Sequence, residues 1–233
     1  GVIMYVVLDG FDLGVGILFP FFPKRRDRDQ MMNSVAPIWD GNETWMVLGG
    51  AGLFGAFPLA YSVILPALYL PLILMLVALI FRGVAFEFRF KSNRTRPLWD
   101  AAFALGSLIA TFAQGVALAG FIQGFPVVDR AFAGGSWDWL TPFSLFVGVA
   151  LAGGYAMLGC GWLIIKTEGD LQARVYRLMR VAGLLTLAAI GIVSLWTPLA
   201  HPAIAERWFS WPNILFLSPV PLLVLVAIGL LWR

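Results

Sequence analysis

The chain has 233 residues, of which 60% are hydrophobic and 12% are charged, and its formal net charge is +3. Soluble domains carry roughly 25% charged residues, so the composition excludes an ordinary soluble globular domain. Apolar runs of about 20 residues instead predict an all-α, polytopic transmembrane helical bundle. Cys160 is the sole cysteine, which excludes an intrachain disulfide. We treat residues 1–233 as a single integral membrane domain.

Seven candidate spans follow one another along the chain: residues 1–22, 35–65, 67–87, 99–123, 141–166, 178–200 and 212–232. The second and third come from one apolar run. The prolines of PALYLP (66–71) predict the turn between them, because proline ends or kinks a helix. The chain starts without Met and is apolar at both ends, so we expect a fragment of a longer protein that lacks both termini.

Basic residues are concentrated in alternate connections. Three connections carry four each: Lys24, Arg25, Arg26 and Arg28; Arg89, Lys91, Arg94 and Arg96; and Lys166, Arg174, Arg177 and Arg180. The positive-inside rule then predicts that the first, third and fifth connections are cytoplasmic. The segment IWDGNETW (38–45) would lie at the cytoplasmic entrance of the second span.

Two acids interrupt the first span. Asp9 and Asp12 are three residues apart, so they share one helix face. A charged residue near the bilayer centre costs at least about 2.5 kcal/mol, so we expect both to face protein or water. Gly10 and Gly14 form a small-xxx-small pair that permits close helix approach. The acids could serve proton or quinone chemistry, or one could simply lock two helices together through hydrogen bonds.

IWDGNETW brings two more acids, Asp40 and Glu43, to one helix face. We expect Ser34 to cap this helix and Pro37 to lie in its first turn. Acids in a first turn can merely complement the helix dipole. Asp40, between Trp39 and Gly41, is predicted to lie deeper than a capping residue, where a partly dry carboxylate suits a proton relay.

Arg82 lies near the end of the third span. It could extend its side chain to the inner interface, or it could pair with the acids of the first two spans. Glu87 and Asp100 lie nearer the interface and are expected to be solvated. The only histidine is His201, so this segment cannot supply a haem site with two histidines or a histidine-rich metal site. We predict no metal ligands in this chain.

Several motifs in order resemble subunit II of cytochrome bd-type quinol oxidases. They are GFDLGVG (10–16), NSVAPIWDGNETW (33–45), FPLAYS (57–62) and FRGVAFEFR (81–89). FIQGF, VVDRAFAGG, DWLTPFSLF and LIIKTEG, further along, are most similar to the cyanide-insensitive branch. The match runs from about residue 2 to residue 170, and beyond that it rests mainly on hydropathy.

The resemblance implies a fold of two four-helix bundles and a bacterial respiratory oxidase that oxidises quinol and reduces dioxygen to water without pumping protons. Haem b and haem d would be held by the partner, subunit I, and subunit II would be haem-free. A small accessory subunit, membrane lipid and quinone are further expected partners, and nucleic acid is not. The location would be the bacterial cytoplasmic (inner) membrane.

The resemblance also implies roles for individual residues. Asp40 would lie on a cytoplasmic proton path, which Asp12 and Asp9 would extend and Arg82 would tune as their charge partner. Trp39 would lie near a bound quinone. Glu43 is glutamine in some members, so no indispensable role is expected for it.

Two other functions remain open from the residues alone. The chain could be a purely structural assembly subunit whose acids pack helices. It could also be a secondary transporter, because buried acids and broken helices occur in that class.

Overall fold

A computed structural model describes residues 1–231. The chain is almost entirely helical, with a short 3₁₀ turn at Phe19–Phe21 and one small hairpin. The helices are α1 (Val2–Leu18), α2 (Arg25–Val35), α3 (Trp39–Ala56), α4 (Pro58–Ala67), α5 (Tyr69–Lys91), α6 (Arg96–Gln123), α7 (Pro142–Lys166), α8 (Gly169–Ala200), α9 (Pro202–Phe209), α10 (Asn213–Leu217) and α11 (Pro219–Leu231). The predicted all-α, polytopic membrane bundle is confirmed.

Five described helices are long and apolar enough to cross a membrane: α1 with its 3₁₀ turn, α5, α6, α7 and α8. A sixth span arises if Pro202–Phe209 and Asn213–Ala227, bent by 90°, count as one. The second predicted span, 35–65, is not one continuous helix, because the helix breaks at Phe57 before a proline. The prediction for 212–232 extends to residue 232, which lies outside the described residues.

The predicted turn in PALYLP is confirmed, because α4 ends at Ala67 and α5 begins at Tyr69. The prediction of a cap at Ser34 is wrong. Ser34 lies inside α2, where its hydroxyl donates to the Met31 carbonyl at 2.7 Å. Pro37, expected in the first turn of this helix, instead lies in the turn between α2 and α3, and α3 starts at Trp39. Asp40 therefore lies in the first turn of α3, shallower than predicted.

The core of the bundle is α1 against α6 and α7, with α5 packed on α6. The predicted close approach at Gly14 is confirmed. A Cβ atom there would overlap the Tyr155 backbone carbonyl of α7, and one on Gly159 would overlap the backbone of Gly14. The two glycines thus allow helix backbones to touch, so that van der Waals packing holds α1 to α7.

The three basic connections meet at one end of the molecule, which we call the basic end. Three ion pairs join different connections: Arg28–Asp100 at 2.9 Å, Arg89–Asp29 at 2.6 Å and Arg174–Asp27; a fourth, Arg89–Asp100, closes the α5–α6 connection on itself. This common location agrees with the loop-charge alternation. Glu87 is exposed as expected, but Asp100 is not simply solvated, because it lies between two arginines and its side chain is 14% exposed.

The connection between α6 and α7 lies at the opposite end. It contains a hairpin of two-residue strands, in which β1 (Val127–Val128) pairs with β2 (Ala131–Phe132). Asp129 and Arg130 between them have φ values of 49° and 65°, the left-handed conformation that such tight turns require.

Candidate functional site

Arg82 lies inside the bundle with no solvent exposure, so the side chain does not extend to the interface. Its Nη1 atom is 3.2 Å from Asp9 Oδ1 of α1 and 3.2 Å from Glu43 Oε2 of α3. Asp9 is fully buried as well, and the Glu43 side chain is 21% exposed. A buried cation needs such partners, because an uncompensated charge in an apolar interior is very costly. The predicted pairing of Arg82 with the acids of the first two spans is therefore present.

Small and aromatic residues create the space around the guanidinium. A Cβ atom on Gly106 of α6 would lie 2.7 Å from the Ala78 carbonyl and 3.1 Å from Arg82 Cβ, so only glycine lets α6 approach α5 here. Trp39 stacks on Phe86 with ring centroids 4.9 Å apart. The guanidinium carbon is 5.9 Å and 5.8 Å from these two rings, within the range of cation–π attraction.

Asp12 completes the buried acids one turn nearer the basic end. Its Oδ2 atom accepts a hydrogen bond from Asn42 Nδ2 at 2.7 Å, and the side chain is fully buried. Asn42 stands next to Glu43 on α3, so one short segment supplies a partner to Asp12 and a second carboxylate to Arg82. Asp9 and Glu43 thus share one guanidinium, and Asp12 lies on the same face of α1 with Asn42 as its donor.

Asp40 differs from the other predicted acids. It is exposed, and it makes no ion pair with any described residue. The structure brings together Asp9, Asp12, Arg82 and Trp39, and it leaves Asp40 outside this group, one turn before Glu43. The proposed role of Asp40 stays a prediction.

Sequence reasoning missed two members of the site. Glu43 was not selected as a site residue, and its lack of an indispensable role stays a prediction; Asn42 was not singled out. The spacing could have indicated both residues, since Glu43 follows Asp40 by three residues and Asn42 lies between these two acids. Which of these side chains faces α1 depends on the rotation of α3, and sequence periodicity did not reveal it.

No group of three or more His, Cys, Asp or Glu side chains within residues 1–231 could hold a metal ion. His201 lies at the carboxyl end of α8, the end away from the ion pairs of the basic end. Its ring meets Phe143 edge-on with centroids 6.3 Å apart. A lone imidazole of this kind does not form the paired set that a span-borne haem with two histidine ligands requires.

Comparison with known proteins identifies the family. The family described as Cytochrome bd terminal oxidase subunit II matches residues 1–233. "Cytochrome bd-I ubiquinol oxidase subunit 2" of Escherichia coli (strain K12) is 36% identical over 200 residues, 82% of this chain and 53% of that protein. "Cytochrome bd ubiquinol oxidase subunit 2" of Bacillus subtilis (strain 168) is 32% identical over 196 residues, which is 82% of this chain and 58% of that protein.

The chain thus spans about half the length of the curated relatives it matches. Together with the five apolar helices, the bacterial relatives make this an integral, multi-pass protein of the bacterial cytoplasmic (inner) membrane. The chain belongs to the cytochrome bd terminal oxidase subunit II family.

Proposed function

We propose that this chain acts as subunit II of a quinol oxidase that reduces dioxygen to water, and that it carries part of a cytoplasmic proton path. The observation that carries the proposal is the buried Arg82 with Asp9 and Glu43 at 3.2 Å each, in a chain of this family. Ionisable residues inside a membrane protein are functional candidates, because burying them is costly.

The chain's own residues would move and hold protons. Reduction of dioxygen consumes protons at a buried centre, so a route from the cytoplasm is needed. Exposed Asp40 at the start of α3 would collect a proton and pass it one turn inward to Glu43. From there it would reach Asp9, while Asn42 holds Asp12 in place and Arg82 fixes the charge balance.

The redox groups would belong to the rest of the complex. Haem b and haem d would be bound by subunit I, where quinol would also be oxidised, and a small accessory subunit would complete the assembly. This chain would ligate none of them and would not be catalytic alone. The single histidine supports this division, because one imidazole does not supply a haem with two histidine ligands.

Trp39 is the proposed quinone contact. Its indole lies flat on Phe86 and remains half-buried, so part of the ring is still available to a planar ligand. Flat aromatic surfaces attract quinone rings by stacking.

The deciding experiment is Asp40→Asn in the complex purified with its partner subunit. We expect quinol oxidase turnover to fall while the haem absorption spectrum stays unchanged. Asp129→Asn, an exposed acid in the opposite hairpin, is the matched control and should keep wild-type turnover. Normal turnover of Asp40→Asn with intact haems would contradict the relay.

A purely structural role is the second candidate. The Arg82 contacts tie α1, α3 and α5 together, and exposed Asp40 has no ion-pair partner among the described residues. If this role is right, Asp9→Asn and Asp40→Asn will reduce haem incorporation and yield of the complex. Turnover for each assembled, haem-loaded complex will then remain normal.

A further inference from the structure

Three polar side chains that the proton path does not use meet inside the bundle. Gln114 of α6 donates from Nε2 to Tyr5 Oη of α1 at 2.8 Å. Tyr155 of α7 donates from Oη to Gln114 Oε1 at 2.9 Å. Tyr5 is 6% and Tyr155 is 2% exposed. We call these three residues the tyrosine–glutamine chain.

The hydrogen bonds of the tyrosine–glutamine chain run in one direction, with donation from Tyr155 to Gln114 and from Gln114 to Tyr5. The carbonyl oxygen of Gln114 is taken by the Tyr155 hydroxyl, so the amide nitrogen faces Tyr5. A phenol has one proton to give and can also accept. Since the Tyr5 oxygen accepts from Gln114, its own proton remains available to another acceptor.

An acceptor lies one turn away on the same helix. Tyr5, Asp9 and Asp12 are spaced by four and three residues, so they form one polar stripe along α1. Asp9 is fully buried with Arg82 at ion-pair distance, and neither of its carboxylate oxygens accepts a hydrogen bond of standard geometry from residues 1–231. A buried carboxylate without a donor is costly, and Tyr5 offers a proton from the neighbouring turn.

The packing of α7 on α1 sets this arrangement. A Cβ atom on Gly10 would lie 3.0 Å from Cε1 of the Tyr155 ring, so glycine makes room for that ring against α1. On the other side of α7, a Cβ atom on Gly115 of α6 would lie 2.6 Å from the Gly148 Cα atom, so α6 and α7 are close enough for Tyr155 to reach Gln114. The tyrosine–glutamine chain thus lies at the close contact between α1 and α7.

We propose that Tyr5 is a positioning residue for proton transfer at Asp9. Its hydroxyl donates to the Asp9 carboxylate, Gln114 sets the direction of that hydroxyl, and Tyr155 fixes the Gln114 amide. This inference rests on the proposed role of Asp9 in the proton path, and it adds the tyrosine–glutamine chain as a group that orients the Asp9 carboxylate. No covalent bond forms or breaks in the tyrosine–glutamine chain, which sets only the orientation of existing protons.

The test uses single and double variants of the purified complex. Tyr5→Phe should lower quinol oxidase kcat about tenfold, the rate equivalent of one hydrogen bond to a charged group. The quinol KM and the haem spectrum should not change. Tyr155→Phe should cause a smaller loss, because it releases the Gln114 amide without removing the Tyr5 hydroxyl. Tyr176→Phe on the exposed face of α8 is the matched control and should behave as wild type.

A double-variant cycle separates positioning from simple structure. If Tyr5 acts through Asp9, Tyr5→Phe should cost nothing further in an Asp9→Asn background, because the acceptor is already changed. The infrared carboxyl band that disappears in Asp9→Asn should also shift in Tyr5→Phe. Additive losses, or an unshifted band, would overturn the inference.

The outcomes also separate this inference from the proposed function. If Asp9→Asn stops turnover while Tyr5→Phe is indistinguishable from wild type, the path stands and the positioning role is refuted. If Asp9→Asn keeps full turnover while Tyr5→Phe shifts the carboxyl band, the path through Asp9 is refuted and the hydrogen bond is supported.

Discussion

The Arg82 guanidinium and the Asp9 carboxylate lie 3.2 Å apart with no solvent exposure on either side chain. They join α5 to α1 inside an apolar bundle, and Glu43 adds α3 at the same distance from Arg82. The loss of either partner would leave the other as a buried charge without its counter-charge, so this pair controls both the stability and the electrostatics of the site.

The first prediction concerns Arg82. Arg82→Ala should lower the free energy of unfolding by about 3–5 kcal/mol, because two acids lose their counter-charge. Arg82→Lys should lower the free energy of unfolding by less, because the positive charge remains although the planar guanidinium is lost. Thermal unfolding of the purified protein measures both. Lys91→Ala, at an exposed ion pair with Glu87, is the control and should leave the unfolding midpoint unchanged. Equal effects of Arg82→Ala and Lys91→Ala would contradict the buried location.

The second prediction concerns the basic end. Arg89 is fully buried and is held by Asp100 and Asp29. Asp100→Ala should lower the free energy of unfolding by about 3 kcal/mol, because Arg89 then loses a partner. It should also loosen α2, which limited trypsin digestion would report as faster cleavage after Arg25.

Its control is Asp29→Ala, which leaves Asp100 in contact with Arg89 and with Arg28. We expect a smaller change from this variant, because the Asp29 side chain is 31% exposed against 14% for Asp100. If Asp29→Ala destabilised more than Asp100→Ala, Asp100 would not be the centre of this network.

The third prediction compares two helical glycines. Gly14→Ala should prevent α1 from packing on α7, because the new methyl group would overlap the Tyr155 carbonyl. Gly52→Ala on α3 meets no atom within 4 Å and should be neutral or stabilising, by up to about 1 kcal/mol from helix propensity. Circular dichroism with heating measures both, and matching midpoints would show that the close crossing does not form.

The fourth prediction concerns Asn42. Asn42→Ala removes the donor at 2.7 Å from buried Asp12 and should lower the free energy of unfolding by about 1–3 kcal/mol. Asn93→Ala in the exposed α5–α6 loop is the matched control and should have no measurable effect. A neutral result for Asn42→Ala would mean that Asp12 has another donor in the assembled complex.

Sequence reasoning was sufficient for the properties that depend on composition and local pattern. Hydropathy alone indicated a helical membrane protein, because a bilayer core requires long apolar helices with internally satisfied backbones. The charges of the connections predicted which of them share one end. The motifs from GFDLGVG to LIIKTEG indicated the family, which the comparisons then confirmed.

The break at Phe57 and the start of α3 at Trp39 were not predicted. Both depend on how a run of apolar residues with several prolines divides into helices, and neighbouring apolar residues look alike in sequence. The shift of the α3 start also moved Asp40 to the first turn and Glu43 inward.

By itself the sequence determined the helical membrane class, the family, and the presence of Asp9, Asp12 and Arg82 in apolar segments. Only the tertiary structure decided that Glu43 and Asn42 complete the acid cluster and that Tyr5, Gln114 and Tyr155 meet beside it. The physical reason is that these contacts join residues up to 109 positions apart in the chain. Their geometry is set by glycine contacts between helices and by the rotation of each helix, which a linear pattern does not specify.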